Sequence, residues 1–159
     1  CGADATWELY SDGALSIRGT GSLTNPAYAG AVAWSAHRES IRTVEVASGI
    51  TNLPDFAFYG CSALETVSFA EGSRLTTIGG SAFNGCTSLK ELTLPQGVKT
   101  IYGNAFRGCS NLVSVYLPDT VSYITGGAFR DCGKVVLSVA RDSYAKQYAI
   151  SNGIAYVER

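Results

Sequence analysis

Methionine is missing from the 159 residues, histidine occurs once and tryptophan twice. A lone histidine, His37, leaves no histidine pair for a zinc site and little material for a nucleophile–base dyad. No apolar run approaches the ~20 residues of a membrane span, so direct membrane insertion of this chain is not expected. Charge of one sign is also lacking. The formal net charge is −1, which removes any broad attraction to nucleic acid or anionic lipid. The lack of methionine bears on the first residue. Translated chains begin with Met, so Cys1 reads as the start of a mature or excised piece whose secretion signal lies outside it. Lipid attachment at Cys1 is an alternative to a structural role for Cys1-Gly2.

Hydrophobic content is 46% and charged content 16%, ordinary for one globular domain with a real core. The chain is organised around a recurring stretch. Ala57-Phe58-Tyr59-Gly60-Cys61, Ala82-Phe83-Asn84-Gly85-Cys86 and Ala105-Phe106-Arg107-Gly108-Cys109 are three copies, and Ala128-Phe129-Arg130-Asp131-Cys132 is a worn fourth. The phenylalanines are spaced 25, 23 and 23 residues apart, a solenoid period. Four of the five cysteines sit three residues after a motif Phe. A disulfide framework is one reading. Equivalent side chains in stacked coils point inward in parallel, however, so a ladder of free, buried thiols is the expectation. A metal site would need closer cysteine spacing, and no cofactor is expected.

The full repeat reads Leu-Pro-x-x-Val-x-x-Ile-x-x-x-Ala-Phe-x-x-Cys-x-x-Leu-x-x-Val-x-Leu. Each unit ends in apolar alternation: Leu64, Val67, Phe69; Leu89, Leu92, Leu94; Leu112, Val115, Leu117. That period of two predicts strands stacked in parallel, and Ile41, Val44 and Val46 supply the same strand upstream. A second short apolar pair, such as Val98 and Ile101, is placed on the other side of each coil. Ala-Phe-x-x-Cys is too short for a stable helix and predicts a tight turn or one turn of 3₁₀. Two extra residues near Ala70-Glu71-Gly72-Ser73 predict a surface turn. After Cys132 the pattern slips by about one residue.

Both ends depart from the repeat. Trp7, Leu9, Leu15 and Ile17 alternate around Asp12-Gly13 and predict a hairpin. Gly19 to Ala31 reads as loop, and Trp34 to Ser40 as one or two helical turns. Asp142 to Ala149 begins with a capping residue and predicts a short helix stopped by Gly153, followed by a strand at Ile154 to Val157. Residues 1–159 are therefore expected to form one solenoid domain: an N-terminal cap at 1–40, repeats at 41–139 and a C-terminal cap at 140–159.

Candidate chemistry is sparse. Glu45 and Glu91 do not occupy equivalent slots, so no paired acid–base geometry follows. Gly79-Gly80 and Gly126-Gly127 are read as the same repeat position, a backbone turn and not a phosphate loop. In the main strands the residues between the apolar ones face outward: Thr43 and Glu45, Thr66 and Ser68, Glu91 and Thr93, Ser114 and Tyr116. They form the candidate binding face, small hydroxyls with one aromatic. Trp7 and Trp34 could stack on sugars, but packing in a core or cap is the expected role.

The Ala-Phe-x-x-Cys-x-x-Leu and Leu-Pro-x-x-Val-x-x-Ile pattern resembles the BspA-type leucine-rich repeat of bacterial surface proteins. Cys1-Gly2, Trp7-x-Leu9, Asp12-Gly13 through Gly21, and Trp34 resemble its N-terminal unit. Ser143-Tyr144-Ala145-x-x-Tyr148-Ala149 resembles its last segment. The resemblance implies a leucine-rich-repeat solenoid of a secreted or surface-displayed bacterial protein. It implies a non-catalytic interaction or adhesion role toward a host or bacterial surface or matrix protein. A spacer within a longer surface protein and a glycan-binding module are the alternatives, and neither an enzyme nor a nucleic-acid partner is implied.

Overall fold

The Asp12-Gly13 signal closes a hairpin. In the computed structural model, which describes residues 2 and 4–159, β1 (Ala5–Leu9) pairs antiparallel with β2 (Ala14–Gly21). Cys1, and with it the lipid-attachment reading, lies outside the described residues. The turn needs glycine at one place. Gly13 has φ +89°, and a Cβ there would collide with the Ser40 carbonyl. Gly19 to Gly21, expected as loop, belong to β2. They stay in the sheet because Gly19 pairs with Ala5 of β1, and Thr20 and Gly21 pair with β4 (Gly49–Ile50) on the next coil.

From β2 onward the chain winds. One flank carries β3 (Thr43–Val46), β6 (Thr66–Phe69), β8 (Glu91–Thr93), β10 (Ser114–Tyr116) and β12 (Val136–Val139). The opposite flank carries the two-residue strands β5 (Asn52–Leu53), β7 (Thr77–Ile78), β9 (Thr100–Ile101) and β11 (Tyr123–Ile124), paired in parallel throughout. Val98 and Ile101 are buried on that side, as the second apolar pair requires. The register confirms the slip after Cys132: Val115 pairs with Leu137, and Leu137 and Val139 point inward. Helix α1 (Tyr144–Ser151) starts where Ser143 Oγ accepts the Lys146 amide at 3.1 Å. It ends before Gly153, at φ +64°, and β13 (Ala155–Glu158) adds in parallel to β12.

The core is a column of rings. Phe58, Phe83, Phe106 and Phe129 stack with centroids 5.2, 5.3 and 5.0 Å apart. Trp34 continues the column below Phe58 at 5.9 Å, Trp7 caps Trp34 at 6.2 Å, and Tyr148 of α1 closes the other end at 6.3 Å from Phe129. Burying each ring contributes roughly 1.5–3 kcal/mol. A single coil cannot enclose its own ring, so neighbouring coils supply the walls.

Beside the rings runs the thiol ladder. Cys61, Cys86, Cys109 and Cys132 are free and buried. The last three each donate to the carbonyl of the Phe one coil back: Cys86 to Phe58 (3.2 Å), Cys109 to Phe83 (3.1 Å) and Cys132 to Phe106 (2.9 Å). Each turn is bracketed by two left-handed residues. Phe56, Ser81, Asn104 and Gly127 form one set; Gly60, Gly85, Gly108 and Asp131 form the other. The alignment of Gly79-Gly80 with Gly126-Gly127 is corrected by one residue. Gly79, Tyr102 and Thr125 are equivalent, each donating to the preceding coil (Leu53, Ile78 and Ile101 carbonyls), so Gly80 matches Gly126. Gly79 is glycine for a local reason: a Cβ would lie 2.5 Å from the backbone at Pro54-Asp55.

Candidate interaction face and the split ladder

Alternation along the strands puts Leu15, Val44, Val115 and Leu137 into the core, and the residues between them outward. Register then sets the rows. Thr43 lies beside Thr66 and Glu45 beside Ser68; Glu91 lies beside Ser114 and Thr93 beside Tyr116. Glu45, Thr66, Ser68, Glu91, Thr93 and Ser114 are exposed, whereas Thr43 and Tyr116 are half-buried.

The face is not one continuous tile. The ladder divides into a sheet ordered β1-β2-β3-β6 and a sheet ordered β13-β12-β10-β8. Among the described residues no backbone hydrogen bond joins β6 to β8. Below the strands the coils remain linked, as Ser88 N–H donates to the Ser62 carbonyl at 3.2 Å. The rings register the same junction. Phe58 and Phe83 are inclined by 33°, against 6° and 13° at the next two steps. Val67 and Phe69, on the lip of the split, are half-buried, while Val44 and Val46 on the preceding strand are 1% exposed. The two extra residues near Ala70–Ser73 fall between β6 and the next coil, so the longer loop lets the strands part.

The split opens a cleft of about 540 Å³ lined by Glu65, Thr66, Ser88, Lys90, Glu91 and Asn111. A second depression, about 430 Å³, crosses the first sheet and takes in Arg18, Glu45, Ser68 and Phe69. Of the candidate face, Thr66 and Glu91 line the cleft and Glu45 and Ser68 the depression; Thr43, Thr93, Ser114 and Tyr116 line neither. Glu65 pairs with Arg42 at 3.2 Å. Arg18 donates to Ser16 Oγ (3.0 Å) and to Tyr10 Oη (3.4 Å). Tyr10 in turn donates to Glu8 at 2.7 Å, a hydrogen bond that raises the phenol's pKa.

Tyr116 has partners the strand pattern does not disclose. The Arg159 guanidinium lies 4.2 Å from its ring centroid while donating to the Leu117 carbonyl and to Asp119 Oδ1, both at 2.7 Å. The Tyr116 hydroxyl accepts from Gln96 Nε2 at 2.8 Å. Trp34 is 2% exposed and donates through Nε1 to the Ala57 carbonyl at 2.6 Å, so it offers no sugar-stacking surface. His37 is exposed and tilts against Trp7 at 6.2 Å. Lys90, Ser88 and Asn111 were outside the sequence-derived face. The signal that could have found them is the insertion near Ala70–Ser73, which marks where the ladder opens.

No group of three or more His, Cys, Asp or Glu side chains that could hold a metal occurs among the described residues. No helix there is long and apolar enough to cross a membrane.

The coils, the Phe column and the Cys ladder match one description. Six copies of the BspA type leucine rich repeat region fit residues 33–152. The chain belongs to the BspA-type leucine-rich repeat family. This BspA-type chain resembles the crystal structure of the T. pallidum leucine rich repeat protein TpLRR at 26% identity and a TM-score of 0.63, over 85% of this chain and 68% of that one. A leucine-rich repeat protein from Bacteroides ovatus matches at 27% identity and TM-score 0.64, over 76% of this chain and 31% of that one. One from Eubacterium ventriosum, at 22% identity, shares the fold with a TM-score of 0.64 over 89% of this chain and 45% of that one. The BspA-type chain thus spans about a third and under half of the latter two. No curated protein sequence matches it. The match from residue 33 fits Trp34 standing one period before Phe58, in the ring position of a worn first coil.

Proposed function

We propose that this BspA-type solenoid is a non-catalytic protein-interaction module of a bacterial secreted or surface protein, with a surface or matrix protein as its partner. The observation that carries the reading is the outward strand face. Glu45, Ser68, Thr93 and Ser114 stand exposed on a rigid scaffold whose conformational cost is met by the column behind them. Polar residues held on paired strands lose little freedom when a partner docks.

The test is saturable binding of the intact chain to immobilised fibronectin, fibrinogen, laminin and mucin, read by interferometry. Glu45→Arg and Thr93→Arg should each weaken a genuine contact at least tenfold, because like charges or bulk at a buried rim are costly. No saturable binding to any of them, or binding indifferent to both substitutions, overturns the adhesive reading. The second reading is a spacer in a longer surface protein. It is favoured by the chain's covering only 31% and 45% of two of its structural relatives.

A further inference from the structure

Cys132 is the last rung of the thiol ladder. Cys86 and Cys109 are fully enclosed, whereas Cys132 keeps 7% of its surface and is flanked by the exposed Asp131 and Gly133. Its sulfur lies against Cys109. The Phe106 carbonyl accepts both the Cys109 N–H at 3.2 Å and the Cys132 S–H at 2.9 Å, so the sulfur of one residue and the backbone of the other converge on one oxygen. The two thiols also share a hydrogen bond. We propose that Cys109 and Cys132 form a redox-active dithiol, converted to a disulfide by a small hydroperoxide that enters at Cys132.

Spacing permits the bridge. The two coils are bonded rung to rung beside the cysteines: Phe106 N–H donates to the Ala128 carbonyl at 2.8 Å and Gly108 N–H to the Arg130 carbonyl at 2.9 Å. Rungs bonded in this way stand about 4.8 Å apart, inside the roughly 4.4–6.8 Å between Cα atoms that a disulfide spans. The other neighbouring pairs meet the same condition, so two further features make the choice. One is access. A peroxide is close to water in size, and Cys132 presents it more surface than Cys61, Cys86 or Cys109 does. The other is ionisation. The hydrogen bond between the thiols holds the proton on Cys109 and lowers the pKa of Cys132, while burial raises Cys61 and Cys86.

The chemistry balances. The Cys132 thiolate attacks one peroxide oxygen and the O–O bond breaks. Cys132 becomes a sulfenic acid, and the leaving oxygen takes a proton from solvent and departs as water. The Cys109 sulfur then attacks the Cys132 sulfur, the S–O bond breaks, and hydroxide leaves as water with the Cys109 proton. Two thiols lose two electrons, and one hydrogen peroxide becomes two waters. Each chain reacts once, which makes the pair a modification site and not a catalytic one. The ladder is remote in kind from the outward strand face, so the protein-docking reading holds or fails independently.

The experiment uses the intact, reduced chain carrying Cys1→Ser, so that only the four ladder thiols count. The native protein is treated with hydrogen peroxide, quenched, unfolded in guanidinium chloride with iodoacetamide, and mapped without reductant by mass spectrometry. Before alkylation the product should be about 2 Da lighter, the two hydrogens lost with the bridge. After alkylation it should carry label on Cys61 and Cys86 alone, with the Cys109 and Cys132 peptides joined until dithiothreitol separates them. Cys132→Ser should abolish the cross-link and leave Cys61, Cys86 and Cys109 fully alkylated. Four alkylated cysteines after peroxide overturn the proposal. So do a bridge at Cys61–Cys86 or Cys86–Cys109, a sulfinic acid on Cys132 with Cys109 still alkylated, or loss of the Cys109 thiol in Cys132→Ser.

Discussion

The indole of Trp34 lies over the ring of Phe58, centroids 5.9 Å apart and planes 23° apart, so a tryptophan outside the Phe motif is the next ring of the same column. The relationship makes the N-terminal cap part of the core and not a lid placed on it. Trp34 also ties itself to the coil above through the Ala57 carbonyl.

Two truncations follow from that continuity. Phe106→Ala, in the middle of the column, should cost about 3–5 kcal/mol, the transfer term plus the void it leaves. Trp34→Ala should cost a similar amount and in addition leave the Ala57 carbonyl without its donor. Chemical denaturation of each variant measures both. A loss below about 1 kcal/mol for Phe106→Ala would show that the rings do not carry the core.

Backbone conformation can be separated from packing at two glycines. At Gly108 the nearest atom to an added Cβ is 3.9 Å away, and at Gly126 there is nothing within 4 Å, so neither site is crowded. Only Gly108 is left-handed, at φ +70°. Gly108→Ala should therefore cost about 1 kcal/mol and Gly126→Ala should be neutral or slightly stabilising. Equal melting temperatures for the two variants would refute the argument.

The first two rungs of the thiol ladder should be chemically silent. Burial pushes the Cys61 thiol up to about 12 and Cys86 well above its ordinary value, so neither forms thiolate at neutral pH. Of the four motif cysteines, Cys61 and Cys86 should stay unlabelled by iodoacetamide at pH 8 in the native protein, whereas Cys132, whose thiol pKa is lowered by its hydrogen bond with Cys109, should be the first to react. All four should label in guanidinium chloride, which mass spectrometry reads directly.

The C-terminal strand is held by an ion pair with a defined pH window. Lys146 Nζ meets Glu158 Oε1 at 2.7 Å, with Arg141 at 3.6 Å from the other oxygen. The Lys146 hydrogen bond lowers the Glu158 carboxyl below its ordinary value, and the same bond raises Lys146. A depressed carboxyl stabilises the fold above its unfolded pKa and loses that contribution as pH falls through the folded one. The raised ammonium loses its share only as pH rises through its own folded value. Glu158→Gln should thus lower the melting temperature slightly at neutral pH, with the difference vanishing in strong acid. A difference that persists unchanged into strong acid would contradict the linkage.

Hydrogen exchange reads the split itself. Ser114 N–H donates across the ladder to the Lys90 carbonyl at 3.3 Å, while Glu91, in the equivalent place one coil back, has no strand to bond to. The Glu91 amide should exchange much faster than that of Ser114 in the native protein. Equal protection would mean that the strands are zipped in solution.

Most of the architecture was legible in the residues. A fixed period of 23, an inward Phe and an alternating Leu-x-x-Val-x-Leu leave a chain little choice but to coil, because no single unit can bury its own apolar face. The hairpin, a short helix opening near Asp142 and the free thiols followed from turn chemistry, capping and side-chain direction, though the cap itself is Ser143, one residue later than that pattern places it. Tertiary structure alone decided the rest. That the ladder opens between β6 and β8 depends on whether two extra loop residues are absorbed outside the coil or force the strands apart, and only the packing of the neighbouring coils settles it. That Tyr116 is covered depends on Arg159, forty-three residues away. The strand pattern says which way a side chain points; it does not say what returns from elsewhere in the chain to meet it.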